Sequence, residues 1–338
     1  MNSQLQPNGG IITQASLNVL QTTVFATNTS GNVWYVDPQS GNDSNNGTQP
    51  AQGTQQGVGP FQSLAAALAA ATAGNNDIVY LLAKSNTASQ TTARRSAVLD
   101  WNKDLVHLIG VNGGPLIGQR SRISNLATAA SFANLFKVSG NGCLIQNIEF
   151  FQGAGSDTLG TAQTCVLVSG QRNTFRNCQI SGIGDATNDA LGSNSLTITG
   201  SENIFQHCYI GLDTVIRATS VTEVVLSGTP TRNIFEDCHF ETYTSASTFK
   251  MITIPTGADR FVKFKNCEFL AVQNITSAVA PTGLIGITTM NGQVLMTGCA
   301  MYGFAQYVTA DNAYVKMLTW DGTATSHIVG IAQSVDAA

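Results

Sequence analysis

Short apolar runs separated by polar turns recur along this chain at intervals of about thirty residues. The segment SGQRNTFRNCQI, which ends at Ile180, returns as TGSENIFQHCYI, TPTRNIFEDCHF and ADRFVKFKNCEF, and more loosely as SGNGCLIQNIEF and NGQVLMTGCAMY. The runs are rich in Val, Ile, Phe and Thr and nearly alternate, which is typical of strands, whereas helices would place apolar residues at i, i+3 and i+4. A fixed period of this size predicts a solenoid built from strands.

Aligned on one another, the copies give two informative columns. One column holds a small thiol or an aliphatic group in each copy: Ile148, Cys178, Cys208, Cys238, Cys267 and Cys299. The position before it holds residue types that tolerate a left-handed backbone: Asn147, Asn177, His207, Asp237, Asn266 and Gly298. The apolar residues on either side of this position are in opposite strand phases, and a continuous strand cannot change faces. We therefore predict a tight corner between two strands in every coil.

This arrangement resembles the right-handed parallel β-helix of the pectate-lyase-like superfamily, in which asparagines stack at a tight corner between the second and third sheets. The resemblance covers roughly residues 33–302. It implies an all-β, right-handed, single-stranded parallel β-helix with about 30 residues per coil and roughly eight coils. It implies no single activity, since the superfamily includes lyases, hydrolases, phage tailspikes and non-catalytic virion proteins.

The pattern divides the chain into four segments. Residues 1–32 carry no copy of the repeat and form an N-terminal arm, and residues 33–77 hold a first strand, a turn loop and a short capping helix. Ser63 is the predicted N-cap of a helix that runs from 64 to 73, and Gly74 ends it. Such a helix closes the open apolar end of the first coil. Residues 78–302 form the β-helix, and residues 303–338 form a C-terminal cap or an oligomerisation segment.

The composition of the chain limits the kinds of partner that it can bind. The net charge is −4 and 11% of the residues are charged, which argues against a nucleic-acid-binding surface. The first ten residues, MNSQLQPNGG, have neither the basic nor the apolar region of a secretion signal, and no apolar run approaches the ~20 residues of a membrane helix. The seven cysteines lack C-x₂-C clusters, so we expect buried, reduced thiols, no metal site and no cofactor. We expect assembly in a host cytoplasm and no membrane partner.

Candidate catalytic groups are few. Paired carboxylates are the minimum for a glycosidase. Three pairs qualify: Asp185 with Asp189, Glu236 with Glu241, and Asp213 with Glu223. Asp185 and Asp189 share one loop and are weak catalytic candidates, because loops of Asn, Asp and Gly usually form turns.

One acidic loop and four arginines each allow both a functional and a purely structural interpretation. The loop 37–46 offers oxygen ligands for calcium, but turn residues that bind their own backbone are the preferred interpretation. A lyase would need basic residues along the rod, and the candidates are Arg172, Arg176, Arg217 and Arg232. An arginine at a solenoid turn is more often a solvated side chain.

These observations favour a non-catalytic structural protein of a bacteriophage virion, either an exterior head decoration or cement protein or a short spike. The argument for a virion is one of analogy between folds. We expect a homotrimer, since cyclic homo-oligomers are the usual assemblies, and contacts of the N-terminal arm with other virion proteins of the capsid or tail. The alternatives are a polysaccharide-degrading β-helix enzyme, such as a tailspike depolymerase or a polyuronide lyase, and a glycan-binding module. A host surface glycan would then be the partner.

Overall fold

The chain forms a right-handed, single-stranded parallel β-helix, as the repeat predicts. The computed structural model describes residues 31–83, 93–111, 121–126, 133–153, 162–219, 222–272, 276–308 and 314–318, together with the backbone of residues 4–5 and 11–12. Most of the predicted N-terminal arm, and residues 309–313 and 319–338 of the predicted C-terminal segment, therefore lie outside the described residues.

The regular elements are short and follow one another closely. The first of them are β1 (Gln4–Leu5), β2 (Ile11–Ile12), β3 (Val33–Val36), α1 (Leu64–Ala70), β4 (Ile78–Leu82), β5 (Ala93–Arg95), β6 (Leu99–Trp101), β7 (His107–Val111), β8 (Arg122–Asn125), β9 (Asn134–Val138), β10 (Leu144–Gln146), β11 (Glu149–Phe151), β12 (Thr164–Val168) and β13 (Thr174–Arg176). The others are β14 (Gln179–Ser181), a 3₁₀ turn (Ala186–Asn188), β15 (Asn194–Ile198), β16 (Ile204–Gln206), β17 (Tyr209–Arg217), β18 (Thr222–Leu226), β19 (Thr231–Glu236), β20 (His239–Thr244), β21 (Lys250–Ile254), β22 (Asp259–Lys265), β23 (Glu268–Ala271), β24 (Ile285–Ile287), β25 (Gln293–Thr297), β26 (Ala300–Tyr302) and β27 (Val315–Leu318).

Three parallel sheets run along the rod. The first sheet has the order β6-β9-β12-β15-β18-β21-β24, and the second has the order β3-β4-β7-β10-β13-β16-β19-β22-β25-β27. The third sheet has the order β5-β8-β11-β14-β17-β20-β23-β26, and β1 pairs with β2 separately. The seven strands of the first sheet enclose six turns. Roughly eight coils were predicted, because the terminal coils look complete in sequence but contribute strands to only one or two sheets.

Identical positions of successive coils lie in register, so like side chains stack inside the rod. In the second sheet Phe175, Phe205 and Phe235 stack with ring centroids 4.8 and 4.7 Å apart. In the third sheet Phe240 stacks on Phe269 at 4.7 Å. All five rings are fully buried, and burial of one such side chain stabilises the fold by roughly 1.5–3 kcal/mol. These stacks form the core that holds the outer faces in place.

Helix α1 covers the first coil, and it is shorter than predicted. The Ser63 hydroxyl accepts a hydrogen bond from the N–H of Ala66 at 3.2 Å, as an N-cap does. The helix ends at Ala70, three residues before the predicted end, because Ala71 is extended and the N–H of Thr72 donates to the carboxylate of Asp77. The ammonium of Lys103 donates to the carbonyl of Ala71 at 2.6 Å.

Candidate functional site

The predicted corner column lies between the second and third sheets, and each of its members has a left-handed backbone. The φ angles are 56° at Asn147, 50° at Asn177, 52° at His207, 52° at Asp237, 51° at Asn266 and 63° at Gly298. Neighbouring corner side chains are bonded, since the amide of Asn177 donates to Asn147 at 3.3 Å and that of Asn266 donates to Asp237 at 3.1 Å. A Cβ at Gly298 would lie 2.5 Å from the Asn266 side chain. The column therefore shapes the backbone at each corner.

The predicted cysteine column lines the interior beside this corner. Each thiol donates a weak hydrogen bond to a carbonyl of the preceding coil: Cys178 to Ile145, Cys208 to Phe175, Cys238 to Phe205, Cys267 to Phe235 and Cys299 to Phe264, at 3.4 to 3.6 Å. Ile148 is buried at the start of the column. All seven cysteines are free, and burial raises the pKa of Cys208 and Cys238. These thiols therefore pack the core.

A second ladder, of asparagines, runs beside the two columns that the repeat predicts. Asn173, Asn203 and Asn233 are fully buried at the turn from the first to the second sheet. The Oδ1 atom of each accepts the backbone N–H of the same position one coil earlier, at 2.8 to 2.9 Å. Each Nδ2 donates to a glycine carbonyl, with Gly170 serving Asn203. The recurrence of Asn at intervals of thirty residues is the signal in the sequence that could have revealed this ladder.

The same turn explains two of the candidate arginines. Arg172, Glu202 and Arg232 have φ angles of 57°, 61° and 56° and form a charged ladder on the surface. Glu202 accepts a hydrogen bond from Arg172 through Oε2 and from Arg232 through Oε1, both at 2.7 Å. The arginines are thus paired rather than simply solvated. Neither Arg nor Glu favours a left-handed backbone, so residue type gave no hint of this column.

The other two candidate arginines lie in different surroundings. Arg176, on the outer face of the second sheet, donates to Gln206, which in turn donates to Glu236 at 3.2 Å. Arg217 is completely buried and binds the equally buried Glu223 at 2.9 Å. The four candidate arginines therefore do not form one row of free basic groups along the rod.

The buried Arg217–Glu223 pair is the centre of a closed hydrogen-bond network. The guanidinium also donates to the carbonyls of Gly182 and Ile183 at 2.9 and 3.0 Å. The carboxylate accepts the Ser195 hydroxyl at 2.5 Å. These contacts attach the loop that follows β14 to the two coils beyond it, and they make the pairing of Glu223 with Asp213 as a catalytic dyad untenable.

Asp185 and Asp189, the weak catalytic candidates, bind backbone groups. The Oδ1 atom of Asp185 accepts the N–H of Thr187 at 2.9 Å and so caps the 3₁₀ turn. The Oδ2 atom of Asp189 accepts the N–H groups of Ala218 and Thr219, both at 2.8 Å. The two carboxylates therefore hold separate stretches of backbone, and the geometry gives them structural contacts.

The acidic side chains of the loop 37–46 also bind backbone N–H groups. Asp37 accepts the N–H groups of Gln39 and Ser40 at 3.0 and 3.1 Å. Asp43 accepts the backbone N–H of Ser63 at 2.7 Å. Among the described residues no group of three or more His, Cys, Asp or Glu side chains has a geometry suited to a metal ion. The turn interpretation of this loop fits these contacts.

The outer face of the third sheet brings together side chains that the sequence left apart. Tyr209, His239 and Glu268 occupy one register column on β17, β20 and β23. Glu241 lies in the next outward column, opposite Gly211, and Asp213 follows Gly211 by two residues on the same face. We call Tyr209, Asp213, His239, Glu241 and Glu268 the acidic cluster.

Gly211 explains why these groups meet. It lies between Tyr209 and Asp213 on β17 and contributes no side chain. A Cβ there would lie 1.9 Å from the backbone oxygen of Glu241. The side chain of Glu241 consequently interacts with both Tyr209 and Asp213. Glu236, paired with Glu241 in the sequence analysis, lies on the second sheet instead, as the intervening corner implied.

The electrostatics of the acidic cluster centre on Glu241, which is only 4% exposed. The Tyr209 and His239 rings stack with centroids 4.7 Å apart, and His239 Nε2 lies 3.6 Å from Glu241 Oε2. The hydrogen bond with Glu241 raises the pKa of His239. Burial, and then the charge of Glu241, raise the pKa of Asp213. The cluster thus combines three carboxylates, an imidazole and a phenol on one part of the outer face, and burial of Tyr209 raises the pKa of its phenol.

The architecture defines the fold class: the chain is a right-handed, single-stranded parallel β-helix. Pectate lyase Pel9A has a similar structure, with 15% identity and a TM-score of 0.56 over 86% of this chain and 68% of its own. A rhamnogalacturonan lyase is similar over 86% of this chain and 73% of its own, with 17% identity and a TM-score of 0.55. At these identities the likeness shows the fold alone.

A looser similarity links the chain to ORF18 of Geobacillus virus E2, with 12% identity and a TM-score of 0.47 over 94% of this chain and 62% of its own. No protein-family model matches the chain, and no curated protein matches it. Within the described ranges no helix is both long and apolar enough to cross a bilayer.

Proposed function

We propose that this chain is a non-catalytic structural protein of a bacteriophage virion, an exterior head decoration or cement protein or a short spike. In this proposal it acts as a homotrimer, and its N-terminal arm contacts capsid or tail proteins. The observation that carries the structural role is the coupling between coils at their turns. The buried asparagine ladder and the Arg172–Glu202–Arg232 ladder bond successive coils to one another in the middle of the rod.

Such coupling suits a rigid external rod. Each coil of a solenoid contacts only its neighbours, so stiffness depends on how well adjacent coils are joined. In this protein buried hydrogen bonds and stacked aromatic rings join adjacent coils, in addition to the pairing of their strands. The contacts of Asp185 and Asp189 with backbone N–H groups further support a structural use of the loops.

Immunoelectron microscopy tests this proposal. Antibodies raised against the purified chain should label the outside of phage heads released by the cells that produce it, and sedimentation should give three times the 35.5 kDa mass of one chain. Label confined to the tail would favour the short spike. Particles that carry neither label nor chain would refute the proposal. Removal of residues 1–30 should reduce incorporation if the arm is the tether, and undiminished incorporation would exclude that role.

The acidic cluster favours a second candidate function, the degradation of a polysaccharide. Glycoside hydrolysis needs two carboxyl groups, one of them able to act as an acid, and Asp213 beside Glu241 has that character. Clearing zones on lawns of capsulated cells would reveal such an activity. It should disappear in Asp213→Asn and in Glu241→Gln, and it should persist in Asp185→Asn.

A further inference from the structure

The outer face of the second sheet carries an apolar cluster of its own near the start of the rod. Ile78, Ile109 and Leu144 alternate along β4, β7 and β10 with side chains of the interior core, so they point outward. They form a hydrophobic cluster separate from that core, and Tyr80 packs against it. Although they point outward, Ile78, Ile109 and Leu144 are only 1%, 5% and 8% exposed. Their burial indicates a cover over this part of the face.

The same face is more open further along the rod. Ile204 and Ile234 lie in the register column of Leu144, and both are only partly buried. Strand pairing alone therefore does not account for the burial of Ile78 and Leu144. Helix α1 does not account for it either, because the buried residues of that helix belong to the interior core. The exposed fractions are those of a single chain, so the cover is another part of the same chain and not a partner.

The N-terminal arm joins the fold at the edge of this cluster. Asp77 is fully buried just before β4, and its Oδ1 atom accepts the backbone N–H of Asn32 at 2.7 Å. The N–H of Ile78 donates to the carbonyl of Asn32 at 2.8 Å. The backbone is closely packed at this point, since a Cβ at Gly31 would lie 2.3 Å from the carbonyl oxygen of Asn76. The arm therefore begins directly beside Ile78.

The sequence of the arm matches an apolar, uncharged surface. Residues 1–30 contain no Asp, Glu, Lys, Arg or His, and residues 17–25 read LNVLQTTVF. Two other stretches adjoin β4 and β7 but match the cluster less well, because residues 84–92 hold no large apolar side chain and residues 112–120 end in an arginine. Nine extended residues reach up to about 30 Å, and the four strands β3, β4, β7 and β10 span about 14 Å. The segment 17–25 is therefore long enough to cross the cluster.

We propose that residues 17–25 bind the outer face of the second sheet and cover Ile78, Ile109 and Leu144. Contiguous apolar patches on a free surface promote association between molecules, so this contact keeps the start of the rod from pairing with other chains. The arm then protects the side of the first coils, as helix α1 protects their end. This inference does not depend on the virion assignment, and it leaves the rest of the arm available for other contacts.

Photo-cross-linking of the purified full-length chain tests the cover. The photoreactive p-benzoylphenylalanine replaces Tyr80, which is partly buried and packs against the cluster. After irradiation the chain is digested with chymotrypsin, which cuts after aromatic residues such as Phe25 and Trp34, and the products are identified by mass spectrometry. We expect a cross-link within one chain to residues 17–25. Tyr302→p-benzoylphenylalanine, the same change at a 56% exposed position of the third sheet, is the matched control and should form no cross-link to the arm.

Charges placed in the arm test which of its residues make the contact. Adjacent residues of an extended segment face opposite sides, so the double variant Val19→Asp with Leu20→Asp brings one carboxylate onto the apolar face. An unpaired charge is costly there, and we expect the yield of the cross-link to fall roughly tenfold. Asn2→Asp with Ser3→Asp adds the same charge outside the segment and should leave the yield unchanged.

Several results would overturn the inference. They are a cross-link from position 80 to residues 84–92 or 112–120, a cross-link to a second chain, seen as a doubled mass on a denaturing gel, no cross-link at all, and equal yields from the two pairs of Asp variants. Tyr35 stacks on Tyr80 with ring centroids 5.6 Å apart, so the same replacement at Tyr35 keeps the test valid if the Tyr80 variant does not fold. No phage particle is involved, and failure here would leave the virion proposal standing.

Discussion

The Oδ1 atom of Asn203 accepts the backbone N–H of Asn173 at 2.9 Å, and both residues are fully buried. The same amide donates through Nδ2 to the carbonyl of Gly170 at 3.1 Å. One side chain thus satisfies two backbone groups of the preceding coil at the turn, where strand pairing is interrupted. This contact adds a side-chain link between adjacent coils beside the main-chain bonds that the N–H groups of Arg172 and Ile204 make at the same turn.

Asn203→Ala should therefore destabilise the fold well beyond the loss of one surface contact. The change leaves the Asn173 N–H and the Gly170 carbonyl buried without partners, and each such group costs about 1–3 kcal/mol. We expect a loss of roughly 2 kcal/mol or more, measured as a lower midpoint of urea-induced unfolding. Gln171→Ala, in an exposed position two residues before Asn173, is the control and should change stability by less than about 0.5 kcal/mol. Equal effects of the two changes would refute a structural role for the ladder.

The buried pair of Arg217 and Glu223 leads to a second prediction. Removing one partner leaves an uncompensated charge in the interior, so Arg217→Met should cost about 3–5 kcal/mol. The double variant Arg217→Met with Glu223→Leu should recover much of this loss, because it buries no lone charge. Unfolding of the single and double variants in urea measures both effects.

The exposed pair of Arg172 and Glu202 is the control for that comparison. The distance from Arg172 Nε to Glu202 Oε2 is also short, at 2.7 Å, but the Arg172 side chain is 72% exposed. Arg172→Met should change stability by no more than about 1 kcal/mol, since solvent screens surface pairs. A double variant no more stable than Arg217→Met alone would show that packing, and not charge, dominates at this site.

Cysteine reactivity gives a third prediction. Six of the seven thiols are buried and Cys299 is half-buried, and burial raises the pKa of Cys143 to about 12. Since the thiolate is the reactive form, a disulfide reagent at pH 8 should modify the native protein slowly, Cys299 first, and should modify all seven thiols once urea unfolds it. Cys299→Ala should remove the first phase. Rapid native reaction of several thiols would contradict the stacked interior.

The fold was predictable from the sequence because its determinants repeat every thirty residues. The cysteines of the cysteine column, and likewise Phe175, Phe205 and Phe235, recur at equivalent positions of successive copies. The Arg172–Glu202–Arg232 ladder was not predictable in this way, because its left-handed backbone is imposed by the turn and not by residue preference. The acidic cluster depends on Gly211 and on the register of three strands. Tyr209 follows Cys208 by one residue and Glu241 follows Cys238 by three, so the aligned copies place the two on neighbouring strands. Neither residue type recurs in its column, and the repeat therefore did not draw attention to them.

Protonation of His239 gives the last prediction. The ring faces Tyr209, Glu241 and Glu268, and the hydrogen bond with Glu241 raises its pKa above the ordinary 6.5. Because the folded-state pKa is the higher one, protonation stabilises the folded state. This contribution is complete below about pH 6.5 and is lost as the pH rises through the folded-state pKa. Titration of the histidine ring signals by NMR should place His239 above 6.5.

His107 serves as a control within the same protein, because burial lowers its pKa. The two rings should therefore titrate on opposite sides of 6.5 in one experiment. Glu241→Gln should lower the pKa of His239 and leave that of His107 unchanged, because only His239 lies beside the altered carboxylate. It should also flatten the fall in stability between neutral and mildly alkaline pH. If Glu241→Gln left the titration of His239 unchanged, the coupling at the centre of the acidic cluster would be disproved.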